Sequence, residues 1–154
     1  MQTNSDFRDL LRLFVDESVH FLIVGGYAVI CHTEPYYTKD LDIWIEPDPD
    51  NATRALRALS RFGAPTATAS IEDLINPDLI YQIGVDPVRV DVMAAVPGLE
   101  FGAAWDRRVQ SDFGGLLVPV LSLDDTLLSK QAAGRPKDLL QVAQLIAAKK
   151  RLGK

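Results

Sequence analysis

The sequence predicts one domain of mixed α and β class, and three observations carry that prediction. Apolar residues recur at helical spacing in some segments and alternate strictly with polar ones in others. The two kinds of segment follow one another along the chain without repeats, low-complexity stretches or a long linker, so residues 1–154 read as a single domain. A chain of 154 residues, 47% apolar and 24% charged, can remove roughly two thirds of its unfolded surface from water, so no disulfide or metal is required as a staple.

Taken in order, Phe7, Leu10, Leu11, Leu13 and Phe14 predict an amphipathic helix that ends before Phe21. Residues 21–24 are apolar and too short for an independent helix; they read as a strand that runs into Gly25-Gly26, and Tyr27, Ala28, Ile30 and Cys31 predict a helix after it. Beyond a loop over residues 32–39, residues 40–46 alternate. Leu41, Ile43 and Ile45 share one face of a strand, and Asp40, Asp42, Trp44 and Glu46 share the other.

Residues 47–51 predict a turn and helix cap, residues 52–62 a helix exposing Arg54, Arg57 and Arg61, and residues 63–70 a loop or frayed strand. Residues 79–85 and 88–94 flank Asp86-Pro87 as a hairpin, with Val88, Val90 and Val92 on one face and Arg89, Asp91 and Met93 on the other. A helix over residues 99–107 follows, then a hairpin bent at Gly114-Gly115. Two C-terminal helices, residues 123–133 and 136–149, are separated by Gly134 and Pro136 in a stop-then-start pattern.

Composition excludes several roles. A net charge of −5 argues against a generic nucleic-acid coat, although residues 130–154 carry seven bases against Asp138 alone, leaving that end at +6 and the rest at −11. A lone Cys31 cannot form an internal bridge, and the polar first twelve residues do not read as a signal peptide, which together predict a cytoplasmic protein. No apolar run approaches the roughly 20 residues needed to cross a bilayer.

The chemistry points to Asp40 and Asp42. Residues two apart in a strand face the same side, so their carboxylates can converge on one hard cation, and Asp91 on a second strand can add a third ligand. Oxygen-only ligands suit Mg²⁺ or Mn²⁺; zinc is disfavoured because His20 and His32 lack a paired spacing and only one cysteine is present. Glycines between strand and helix, as at Gly25 and Gly26, let backbone N–H groups face a phosphate at the positive helix end. The pair lacks the glycine spacing of a dinucleotide fingerprint, and no Walker sequence occurs.

Read in series, residues 22–29, His32 and residues 37–44 resemble the signature of the nucleotidyltransferase superfamily, in which a strand, two small residues, a helix and an Asp-x-Asp strand build the active site. Residues 90–93 resemble its third-acid strand, and residues 122–140 the C-terminal lysine and aspartate motifs of AbiEii-type nucleotidyltransferases, often toxin or antitoxin partners. The resemblance implies a nucleotidyltransferase fold, a mixed sheet flanked by helices with a C-terminal helical pair. It further implies metal-binding Asp40, Asp42 and Asp91, with Asp91 helping to activate the attacking group, and phosphate-cradling Gly25 and Gly26. Lys130 would neutralise charge on the leaving pyrophosphate, and Asp138 matches the last motif position. Thr33 and Tyr36 depart from the family pattern, with Lys39 the nearest substitute for a missing arginine.

The implied activity is Mg²⁺- or Mn²⁺-dependent transfer of a nucleotidyl group from an NTP to a hydroxyl acceptor: RNA or tRNA, a protein, or a small hydroxylated compound. One rival is a non-catalytic module of the same fold acting beside a toxin or antitoxin partner. A metal-dependent nuclease shares the acids but does not explain the glycine pair before Asp-x-Asp. Ser122 and Asp125 read as a capping box, which removes Asp124 and Asp125 from the candidate site.

Overall fold

The computed structural model describes residues 5–33, 40–66, 69–85 and 88–153. Within them the chain runs α1 (Ser5–Asp16), β1 (Phe21–Val24), α2 (Gly25–His32), β2 (Asp40–Ile45), α3 (Pro49–Phe62), α4 (Ile71–Ile75), β3 (Ile80–Val85), β4 (Val88–Met93), α5 (Phe101–Asp106), β5 (Val109–Phe113), β6 (Leu116–Val120), α6 (Leu123–Ala133) and α7 (Pro136–Arg151). The expected mixed class, with helices around one mixed sheet and a C-terminal helical pair, is what the chain forms. Tyr36, Lys39, Asp86 and Pro87, on which the sequence reading drew, lie outside the described residues.

Six strands order as β3-β4-β2-β1-β6-β5. β2 lies antiparallel to β1 and parallel to β4, and β1 is parallel to β6, so the two hairpins β3-β4 and β5-β6 flank a central pair. Strict alternation in β2 decides which side is core. Phe21 and Ile23 register opposite Ile45 and Ile43, and Phe14 of α1 meets Phe21 edge-on at 5.4 Å between ring centroids. On the opposite face Trp44 packs edge-on against Phe101 of α5 at 5.1 Å. Leu10, Phe14, Phe21, Ile43, Trp44 and Leu59 are all buried. Each contributes about 1.5–3 kcal/mol relative to exposure.

Several boundaries differ from expectation for local reasons. α3 starts at Pro49, because Asp48 caps it by accepting from the Asn51 amide and proline suits the first helical position. Residues 63–66 and 69–70 form no strand; instead Ser70 caps the short α4, which the sequence reading passed over. α5 is confined to Phe101–Asp106 because the Glu100 carboxylate caps its amides and fixes the start. Arg57 and Arg61, expected on a solvated face, reach Glu17 at 3.4 and 3.0 Å and tie α3 to the end of α1.

Candidate active site

The site forms where β1 ends and β2 begins. Antiparallel register sets Val24 opposite Asp42, and parallel register sets Asp42 opposite Asp91 and Asp40 opposite Arg89. Residues opposite one another share a sheet face, so Asp40, Asp42, Arg89 and Asp91 occupy one patch. Asp91 is buried, and Asp40 and Asp42 are partly buried. The chain then turns directly into α2, whose first residue, Gly25, holds φ +66°. A side chain there would be strained, and its Cβ would collide with Asp42 Oδ2. Gly25 is therefore what lets the Asp42 carboxylate sit against the start of a helix that no side chain caps.

Electrostatics confirms the crowding. The Asp42 carboxyl is pushed up to about 6 by burial first, then by the Asp91 and Asp40 charges; Lys130 and Lys137 pull the other way. Those lysines belong to the end of α6 and the start of α7, which packs on α2 together with α6. The buried Lys130 Nζ lies 3.3 Å from Asp138 Oδ1, and burial lowers its proton affinity against the opposing pull of Asp138. Arg135, which the sequence reading did not single out, donates from Nε to Asp138 Oδ2 at 2.6 Å and from Nη2 to Oδ1 at 3.1 Å. Asp138 also accepts from the Arg135 amide as a first-turn acid of α7.

Asp138 is thus fully buried and occupied as a double anchor. The Arg135 side chain holds its carboxyl down to about 2, helped by Lys130 and opposed by burial. Its place is behind Lys130, which it orients. The hydrogen-bonded Asp138 chiefly raises the proton affinity of Arg135 against burial, and the Asp42 charge adds to it.

Whether the acids suit a divalent cation is decided by their free valence. Asp40 Oδ1 is buried with no hydrogen-bond partner among the described residues, and the Asp42 carboxyl is crowded by two like charges, both of which fit a cation. Among the described residues, however, no three carboxylates stand as a ready ligand set. The Arg89 guanidinium lies between two of them, with Nη2 3.1 Å from Asp40 Oδ2 and Nε 3.2 Å from Asp91 Oδ1. Alternation along β4 sets Arg89 on the same face as Asp91.

Other sequence candidates fall elsewhere. His32 Nε2 hydrogen-bonds the Leu121 carbonyl at 2.8 Å, joining the end of α2 to the end of β6. His20 stacks on Trp105 at 4.7 Å. Ser122 does cap α6 by accepting from the Asp125 amide, but the Asp125 carboxylate takes Arg107 Nε at 2.9 Å and Nη2 at 3.0 Å in a fork. The expected box is half a box, because a charged fork outbids one backbone amide. Lys149 of the basic end lies 2.9 Å from Asp124. No helix among the described residues is long and apolar enough to cross a membrane.

Comparison with known proteins agrees with this geometry. Residues 6–149 match the family described as "Nucleotidyltransferase of unknown function (DUF6036)". In three dimensions the chain resembles the lincosamide antibiotic adenylyltransferase LnuA in its lincomycin-bound form, at 14% identity and a TM-score of 0.61 over 95% of this chain and 98% of that one. It also resembles a nucleotidyltransferase candidate from Thermotoga maritima, at 20% identity and 0.55 over 99% and 96%. A third likeness is ANT(2")-Ia in complex with adenylyl-2"-tobramycin, at 12% identity and 0.57 over 96% and 88%. These likenesses show the fold. No curated protein matches the sequence.

Proposed function

The chain belongs to this family of nucleotidyltransferases, and from that premise we propose that it transfers a nucleoside monophosphate from an NTP to a hydroxyl acceptor with the aid of Mg²⁺ or Mn²⁺. The observation that carries the reading is the register of Asp42 against Asp91, with the Asp42 carboxylate lying on Gly25 at the start of α2. Asp40, Asp42 and Asp91 are the residues that would hold the metal. Bound there, divalent cations supply Lewis-acid polarisation of the α-phosphate and lower the pKa of an attacking hydroxyl.

The protein's own groups do the rest. Backbone N–H groups of the first turn of α2, at Gly25 and Gly26, offer the phosphates a positive helix end. Lys130, fixed by Asp138, presents an ammonium whose field reaches Asp42, and so would neutralise charge growing on the pyrophosphate as the α-phosphate is attacked. Arg135 adds a second cation, pre-set by the same aspartate. Asp91, the most buried of the three acids, would help to activate the attacking hydroxyl.

For the acceptor, the antibiotic adenylyltransferases that share this fold favour a small hydroxylated compound; the basic end favours RNA, although Lys149 is partly spent on Asp124. A second reading has its own support. The Arg89 pair across Asp40 and Asp91, with the AbiEii-like segment 122–140, fits a nucleotide-binding module with little turnover, acting as a toxin–antitoxin or regulatory partner. Incubating the protein with each α-labelled NTP, Mn²⁺ and, separately, total RNA, cell protein and a panel of hydroxylated small molecules tests both. Label on an acceptor with stoichiometric pyrophosphate supports transfer; saturable NTP binding without either product supports the module.

A further inference from the structure

Arg89 occupies an unusual place for a cation. It sits two residues before Asp91 on β4 and directly opposite Asp40 on β2, so the pleat aims its side chain into the gap that the proposed metal would use. The guanidinium meets both carboxylates at once: Nη2 lies 3.1 Å from Asp40 Oδ2 and 3.3 Å from Asp91 Oδ2, and Nε lies 3.2 Å from Asp91 Oδ1. Only 31% of the Arg89 side chain, 33% of that of Asp40 and 10% of that of Asp91 is exposed. This is a held contact rather than a surface pair.

We propose that Arg89 is a built-in counter-cation of the acid cluster, holding Asp40 and Asp91 in place while no metal is bound and giving way when a divalent cation arrives. The reading of these acids as metal ligands under "Proposed function" is its premise. Clustered carboxylates repel unless something positive stands between them, and a planar fork with several donors can serve two at once. A Mg²⁺ ion needs oxygens at about 2.0–2.1 Å; the guanidinium already engages Asp40 Oδ2 and both Asp91 oxygens, leaving Asp40 Oδ1 as the open oxygen of that pair. The two cations therefore compete for the Asp40–Asp91 gap. Asp40 and Asp91 are held near one another without metal, at the expense of affinity for the free ion.

The test titrates Mn²⁺ alone into the full chain, reading free Mn²⁺ by electron paramagnetic resonance, for the wild type, Arg89→Gln and Arg89→Lys. In Arg89→Gln the Kd for Mn²⁺ falls about fivefold to tenfold, the effect of removing one charged competitor, about a third exposed, that touches two carboxylates. Arg89→Lys, a point charge unable to bridge both acids, falls between. With chelator present Arg89→Gln melts below the wild type, and saturating Mn²⁺ closes that gap. A folded Arg89→Gln that binds Mn²⁺ no more tightly than the wild type overturns the inference and leaves the metal-ligand reading standing. Uptake by neither protein overturns both.

Should Arg89→Gln fail to fold, the wild type still decides. The Arg89 Nε–H resonance, assigned by its loss in Arg89→Lys, shifts on addition of Mg²⁺ if the ion pair opens. A resonance unmoved while the Asp42 amide titrates to saturation refutes displacement.

Discussion

Asp42→Asn separates a metal-ligand site from a structural one, because the two roles predict opposite signs in the metal-free protein. Burial and two neighbouring carboxylates raise the Asp42 carboxyl from 3.8 to about 6 in the folded chain. The folded state therefore binds this proton more tightly than the unfolded state, and stability present at low pH is lost as pH rises from about 4 through about 6. The shift of about two units corresponds to roughly 3 kcal/mol at neutral pH. Asparagine keeps the shape and removes the charge. With chelator at pH 7.5, Asp42→Asn should melt above the wild type, by up to roughly 6–12 °C at about 2–4 °C per kcal/mol for a domain of this size. The advantage should shrink below pH 6 and be nearly gone at pH 4, followed by calorimetry or differential scanning fluorimetry across that range. Saturating Mn²⁺ should reverse the order, because only the wild type gains from the ion. A variant that melts several degrees below the wild type at pH 7.5 without metal would refute the argument and make Asp42 a structural acid.

Gly25→Ala combines a left-handed backbone position with a Cβ that collides with Asp42 Oδ2. It should lower stability by at least the ~1–2 kcal/mol of a non-glycine residue in that conformation and weaken NTP binding; unchanged affinity by calorimetry would remove the glycine from the site. Lys130→Ala should reduce nucleotidyl transfer at saturating NTP by about 10²-fold or more, and a turnover within twofold of wild type would deny it a role toward the phosphates. Asp138→Asn should destabilise the fold at neutral pH by breaking the Lys130 and Arg135 anchors. Because its carboxyl is held down to about 2, the stability it lends is full above about 4 and lost as pH falls toward 2, so wild type and variant should converge in acid melts.

Much of the site was legible because a strand has a period of two. Alternation alone put Asp40, Asp42 and Trp44 on one face and Arg89, Asp91 and Met93 on one face of another strand, and the described registers keep both sets together. Helix punctuation was equally local: Gly134 ends α6 at φ +67° and Pro136 begins α7. Where the reading slipped, the deciding contact lay outside the segment. α4 depends on a Ser70 cap within a weakly patterned stretch, and the Ser122 box lost its second half to Arg107, a residue from the turn after α5.

The sequence by itself determined the mixed class, the order of every element but α4, the acidic face and the glycines that precede it, since propensity, period and turn chemistry act within a few residues. Only the tertiary structure decided what those charges face. That β2 lies parallel to β4, so that Asp42 meets Asp91 and Asp40 meets Arg89, is a matter of strand pairing over some fifty residues of chain. That Asp138 is a buried anchor for Lys130 and Arg135 rather than an open acid follows from how α6 and α7 pack. A carboxylate's partner, burial and proton affinity are properties of the space around it, and that space is filled by residues distant in the chain.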